Sequence, residues 1–161
     1  MSDLQRIEGR LSAAGRRFAV VASRFNDAVV DRLVDGAVDC LLRHGAAEGD
    51  VTIVRVPGAW ELPLALEKLA KTGRYDGLVA LGAVIRGETS HFDFVAGEAS
   101  SGIAAAARRS GLPVGMGLLT CETSEQARER AGGKAGNKGW EAALAAIEMA
   151  DLFAQIEESS P

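Results

Sequence analysis

The sequence predicts an α/β fold, a three-layer sandwich in which a four-stranded parallel sheet lies between helices. Three observations predict it. Short apolar runs alternate with longer segments of helical periodicity. The strand-like runs, above all Gly77-Leu78-Val79-Ala80-Leu81, are apolar on both faces, as strands covered from both sides must be. Successive strands are separated by helices, and right-handed crossovers of that kind make a parallel sheet. No internal repeat or low-complexity linker intervenes, so residues 18–161 read as one domain preceded by an N-terminal segment, residues 1–17.

The first strand is expected at Phe18-Ala19-Val20-Val21-Ala22. Residues 27–44 then place Val30, Val34, Ala37, Val38 and Leu41 on one face and Asp31, Asp35 and Asp39 elsewhere, an amphipathic helix. It should end at His44-Gly45, where an imidazolium suits the helix dipole and glycine supplies a left-handed cap. A second strand is expected over residues 51–56 and a second helix over 61–71. The third strand, 77–84, leads through Arg86-Gly87-Glu88-Thr89-Ser90 into a helix over 91–109. Ser90 is placed to cap that helix, with Asp93 three residues on as a weak capping-box partner. A fourth strand at 113–119 and helices at 124–130 and 137–155 complete the chain.

At 161 residues the chain can bury one sizeable core, and its 47% apolar and 25% charged content is that of a soluble globular protein. The net charge of −4 gives no general attraction to nucleic acid, so a phosphate ligand would need a local basic patch. No apolar run reaches the length of a membrane span, and residues 1–17 lack the apolar core of a signal peptide. A cytoplasmic protein without a membrane partner is expected. Cys40 and Cys121 have no metal-ligand spacing and lie in apolar-rich segments, as reduced packing residues do. No Gly-x-Gly-x-x-Gly follows the first strand and there is no Walker-type lysine loop, which argues against dinucleotides and nucleoside triphosphates.

In such a fold ligands bind at the carboxyl ends of the strands. Those ends carry Ser23-Arg24-Phe25-Asn26-Asp27, Pro57-Gly58-Ala59-Trp60-Glu61-Leu62-Pro63, the Arg86 to His91 turn, and Thr120-Cys121-Glu122-Thr123. Phe25 and Trp60 are loop aromatics in a chain with 5% aromatic residues. A flat heterocycle could stack on either, or both could simply cover the sheet edge. The turn before His91 offers backbone N–H groups and the positive end of a helix dipole to an anion, with Arg86 nearby, or it is an ordinary strand-to-helix turn. The basic stretch from Arg128 to Gly139 reads as a solvated helix end and turn or as a second phosphate contact.

Together these motifs resemble the 6,7-dimethyl-8-ribityllumazine synthases. The resemblance is carried by Arg24-Phe25-Asn26, the Pro57 to Pro63 loop, Gly82-Ala83-Val84-Ile85-Arg86-Gly87-Glu88-Thr89, His91-Phe92-Asp93, Glu125-Gln126-Ala127 and the run from Arg130 to Gly139, in order over residues 18–153. It implies a flavodoxin-like fold and a step of riboflavin synthesis. In that step 5-amino-6-(D-ribitylamino)uracil condenses with 3,4-dihydroxy-2-butanone 4-phosphate and phosphate is released. It further implies that Phe25, Ala59, Trp60 and the backbone of Ala83, Val84 and Ile85 hold the pyrimidine, with Glu61 on the ribityl hydroxyls. Phosphate would be held by Gly87, Glu88 and Thr89 with Arg130 and Lys134, and protons moved by His91, with neither metal nor cofactor. Met116 stands where the family often has an aromatic residue against the pyrimidine, so coverage there is softer. Cys121 interrupts a threonine-rich strand end and is expected to pack.

The resemblance also implies a ring of five subunits with a site at each boundary, sometimes built into a 60-subunit shell, and an association with riboflavin synthase. By analogy the N-terminal segment would add a strand to a neighbour's sheet. The last helix, apolar around most of its circumference, exceeds what one such domain can cover. The competing readings are a flavin- or pterin-binding carrier without catalysis and a structural shell protein on the same fold. A carrier would use Phe25 and Trp60 but has no need of His91 or of two anion contacts.

Overall fold

The computed structural model describes residues 3–88 and 90–159. β1 (Phe18–Ser23) is buried throughout and β3 (Gly77–Ile85) in all but its last residue. They form the centre of the sheet because they carry apolar side chains on both faces. β2 (Val51–Val56) and β4 (Val114–Cys121) flank them, giving the order β2-β1-β3-β4 with every pairing parallel. Strand alternation then splits the core in two. Phe18, Val20, Ala22, Val79 and Leu81 pack with buried residues of α1 (Asp27–Arg43) and α5 (Lys138–Glu158). Ala19, Val21, Leu78 and Ala80 pack with those of α2 (Leu62–Lys71) and α3 (His91–Ser110).

Every strand and helix expected within residues 18–159 is present, each boundary within one helical turn of expectation. Past α4 (Ser124–Arg130) the basic stretch forms a small antiparallel hairpin that the sequence did not announce, β5 (Ala131–Gly133) and β6 (Gly136–Asn137). Its strands are short, glycine-rich and without apolar alternation, so no periodicity marks them. α5 lies against the rest of the chain at backbone distance. A Cβ on Gly115 would strike the Ala142 carbonyl, and one on Gly139 the Leu33 carbonyl.

Side-chain caps open α4 and α5, whereas α1, α2 and α3 begin without one. α1 closes on His44 and on Gly45, whose φ of 105° needs no Cβ. The His44 ring sets Nδ1 2.6 Å from the Cys40 carbonyl oxygen and meets Trp140 edge-on. Asn137 Oδ1 accepts from Gly139 and Trp140 at the start of α5, and Thr123 Oγ1 accepts from Gln126 at the start of α4. Ser90 precedes α3 but does not cap it through its side chain. Its backbone carbonyl accepts the Asp93 N–H, and the Asp93 carboxylate is drawn off to Arg86. Cys40 and Cys121 are buried free thiols, and burial, then Asp39, pushes Cys40 up to about 11. Among the described residues, no helix is long and apolar enough to cross a membrane.

Residues 8–17 are held by their own chain. Gln155 Nε2 donates to the Glu8 carbonyl at 2.7 Å, and the Ala13 N–H donates to the His44 carbonyl. The buried Asp151 accepts from the Arg10 N–H at 2.7 Å, from Gln155 Nε2 at 2.6 Å and from the Arg16 guanidinium at 3.0 Å. The Arg10 N–H first, then these others, hold its carboxyl at about 2, against an ordinary 3.8. A depressed carboxyl stabilises the fold above its unfolded value, and that contribution is lost as pH falls through the folded one. Unfolding followed from pH 5 downward should therefore show stability falling between pH 3.8 and about 2. Asp151→Asn should flatten that acid slope and loosen residues 8–17 to protease at neutral pH.

Candidate active site

The sheet opens at its carboxyl end. β1 pairs with β3 only as far as Ala22 opposite Leu81, whereas β3 runs on beside β4 to Ile85 opposite Cys121. This gap falls where the chain, having added β2 on one side of β1, crosses to add β3 on the other. It is the switch point at which open α/β sheets take ligands. The Ala83 carbonyl faces the gap and accepts Asn26 Nδ2 at 2.8 Å. Backbone groups alternate in direction along a strand, so those of Ile85 face the gap too, while those of Val84 turn toward β4.

The two aromatic loops are stitched together. The Arg24 N–H donates to the Val56 carbonyl at 2.8 Å and the Phe25 N–H to the Pro57 carbonyl at 3.1 Å. Asn26 makes this possible with a left-handed φ of 63°, the one such non-glycine residue among those described. Phe25 and Trp60 are thereby set around one cavity of about 670 Å³, with Ala59 and Glu61 from the same loop as Trp60. His91, Phe94 and Val95 close it from the first turns of α3. The Glu61 carboxylate lies over Gly58, where a Cβ would stand 3.4 Å from Oε1. Phe25, Trp60 and Phe94 are 72%, 58% and 68% exposed, so three apolar rings face the solvent around this one hollow. Phe94 and Val95 escaped the sequence reading. Their spacing of three and four from His91 on one helix face was the signal that could have found them.

The other expected residues lie elsewhere. Met116 and Arg130 line a groove of about 270 Å³ along the outer edge of β4, with Lys138. There Arg130 Nη1 donates to Cys121 Sγ at 3.2 Å. Lys134 is exposed beside the β5–β6 hairpin, 3.7 Å from Glu129 Oε1. Gly87 has open space over its Cα and Glu88 is exposed, both in the turn before α3, while Thr89 lies outside the described residues. Arg86 is not turned to that space. Its Nε donates to Glu122 Oε2 at 2.7 Å and its Nη2 to Asp93 Oδ1 at 3.1 Å. A further cavity of about 420 Å³, lined by Glu67, Lys71 and Arg109, lies between the carboxyl ends of α2 and α3, far from these residues.

A parallel sheet of order 2-1-3-4, with an aromatic hollow and a histidine at its switch point, defines an α/β protein of flavodoxin-like architecture. The family is more particular. The family model described as 6,7-dimethyl-8-ribityllumazine synthase matches residues 15–154. The chain is 59% identical over 156 residues to the 6,7-dimethyl-8-ribityllumazine synthase of Nitratidesulfovibrio vulgaris (strain DSM 19637 / Miyazaki F), covering 97% of this chain and 100% of that one. It is 55% identical over 153 residues to the enzyme of that name from Aquifex aeolicus (strain VF5), covering 95% and 99%. The chain belongs to the 6,7-dimethyl-8-ribityllumazine synthase family.

Proposed function

We propose that the chain performs its family's reaction, a step of riboflavin biosynthesis. It condenses 5-amino-6-(D-ribitylamino)uracil with 3,4-dihydroxy-2-butanone 4-phosphate to give 6,7-dimethyl-8-ribityllumazine, phosphate and water. The observation that carries this reading is the single cavity that gathers Phe25, Ala59, Trp60, Glu61 and His91. The pyrimidine stacks between the Phe25 and Trp60 rings, its edge on the backbone of Ala83 and Ile85, the groups of Val84 being turned to β4, and Glu61 accepts from the ribityl hydroxyls. The ring amine attacks the ketone, and loss of water gives a Schiff base. The carbon next to the imine then loses its proton as phosphate leaves, giving an enol. The enol takes a proton on its terminal carbon to become a methyl ketone, and the second amine closes the ring on that carbonyl with loss of water. Each step moves a proton at a nitrogen, oxygen or carbon beside His91, and an imidazole can act in both directions near neutral pH. Phosphate rests on the backbone of Gly87, Glu88 and Thr89 at the amino end of α3.

In this reading Met116, Arg130 and Lys134 complete the site from the next subunit. What supports this is their place at the β4 edge and the β5–β6 hairpin, apart from the aromatic cavity of the same chain. A ring of five closes every boundary, the unit from which a 60-subunit shell would be built. Residues 3–7, which precede the tether at Glu8 and include the exposed Leu4, lie along a neighbour's sheet edge. Riboflavin synthase, which takes the product, is the partner enzyme, and the compartment is the cytoplasm.

Mixing purified protein with both substrates should produce lumazine absorbance. A folded protein that binds the pyrimidine without forming product would make it a carrier. The composite site has its own test. Trp60→Ala/His91→Ala and Arg130→Ala proteins should each be poor enzymes, but unfolding them together and reassembling should restore about a quarter of the boundaries to wild type. Activity that never exceeds the average of the two, with mixing verified, would place the site within one chain.

A further inference from the structure

We propose that Arg86 is a positioning residue whose guanidinium clasps the turn between β3 and α3, fixing Gly87, Glu88 and the helix start that bears His91, and does not itself bind phosphate. The proposal rests on the reading of that turn and of His91 given above. Arg86 sits where β3 ends, and its N–H donates to the Cys121 carbonyl at 2.9 Å, which anchors its backbone to β4. From there the side chain reaches two carboxylates on different elements. Nε meets Glu122 Oε2 at 2.7 Å, just past β4, and Nη2 meets Asp93 Oδ1 at 3.1 Å, in the first turn of α3. The guanidinium lies over the Phe92 ring, Cζ 4.4 Å from its centroid. Glu122 is itself held, its N–H donating to Gln126 Oε1 at 2.9 Å.

The consequence is geometric. Arg86 and Asp93, on either side of the turn, are tied directly to each other and, through Glu122, to a third point just past β4, so Gly87 and Glu88 have fewer conformations to lose when an anion arrives. These ion pairs are open to solvent, with side chains 39% exposed for Arg86 and about 60% for each carboxylate, so each adds little to global stability. Their effect is to hold a shape. A guanidinium already engaged by two carboxylates also presents phosphate with like charge on either side, which disfavours direct binding. A lysine, a point charge without a planar fork, cannot reproduce the span.

The discriminating experiment frees the guanidinium without removing it. Asp93→Asn/Glu122→Gln is compared with Arg86→Gln and Arg86→Lys, by steady-state kinetics, by inhibition with inorganic phosphate, and by amide hydrogen exchange at Gly87 and Glu88. All three should raise KM for the butanone phosphate and lower kcat, together about five- to tenfold in kcat/KM, with the pyrimidine KM within about twofold. Phosphate inhibition should weaken and exchange should quicken. Tighter phosphate inhibition in Asp93→Asn/Glu122→Gln, or full rescue by Arg86→Lys, would overturn the proposal and make Arg86 a phosphate ligand. Should the Arg86 variants fail to fold, the carboxylate variant, changed only at exposed side chains, carries the decision. Unchanged exchange overturns the clasp itself, whereas a parent protein that neither turns over nor binds phosphate overturns the reading of the turn.

Discussion

His91→Ala should slow turnover by up to about 10²-fold while leaving both substrates bound almost as before. The size follows from what the imidazole is asked to do. An aromatic amine is already a competent nucleophile toward a ketone, so in the proposed reaction the histidine would supply proton transfers and not nucleophile activation. General acid–base assistance then works toward the lower part of its usual range. The position argues the same way. His91 begins α3, borders the aromatic hollow and follows directly on the turn assigned to phosphate, so one ring can serve both the carbonyl and the leaving group. Substrate affinity should survive because Phe25, Trp60 and the strand ends remain. Single-turnover rates at saturating substrate are the deciding measurement. If they are unaltered, His91 is not the proton-transfer group.

Arg130→Ala should weaken the butanone phosphate by about 1.5–3 kcal/mol, the range for a lost charge-assisted contact, and the pyrimidine far less. The fold should tolerate the change. Arg130 ends α4 half-buried, and the partner it leaves behind is the Cys121 thiol, a weak acceptor whose loss of a donor costs little. Titration calorimetry with each substrate separates the two affinities. Inorganic phosphate should raise the melting temperature of the parent and raise that of the variant less, since a ligand stabilises only the state that binds it. Equal losses for both substrates would point to collapse of the site instead of removal of one contact.

The architecture was legible because burial writes itself into the sequence twice. β1 and β3 are apolar at nearly every position and could only be central, and the aspartates of α1 marked its outer face. The pocket was legible through residues that fit no core, Phe25 and Trp60 in loops and His91 after a turn. What could not be read was partnership among charges. Asp93 lies at capping-box spacing from Ser90, yet Arg86, seven residues earlier, captures it. Spacing alone does not rank a cap against a guanidinium held over a neighbouring phenyl ring. Likewise, no sequence pattern separates Arg130 from His91, because their distance depends on which edge of the sheet β4 occupies.

The stitching of the first two loops bears on the thermodynamics of ligand entry. With the Arg24 and Phe25 amides already bonded to the Val56 and Pro57 carbonyls, and Asn26 tied to Ala83, these backbones have little left to freeze on binding. The remaining entropic cost is confined to a few side-chain rotamers, of order 0.5–1.5 kcal/mol for each immobilised. Affinity for a flat ring should then track the aromatic area it covers, with a negative heat-capacity change as its calorimetric mark.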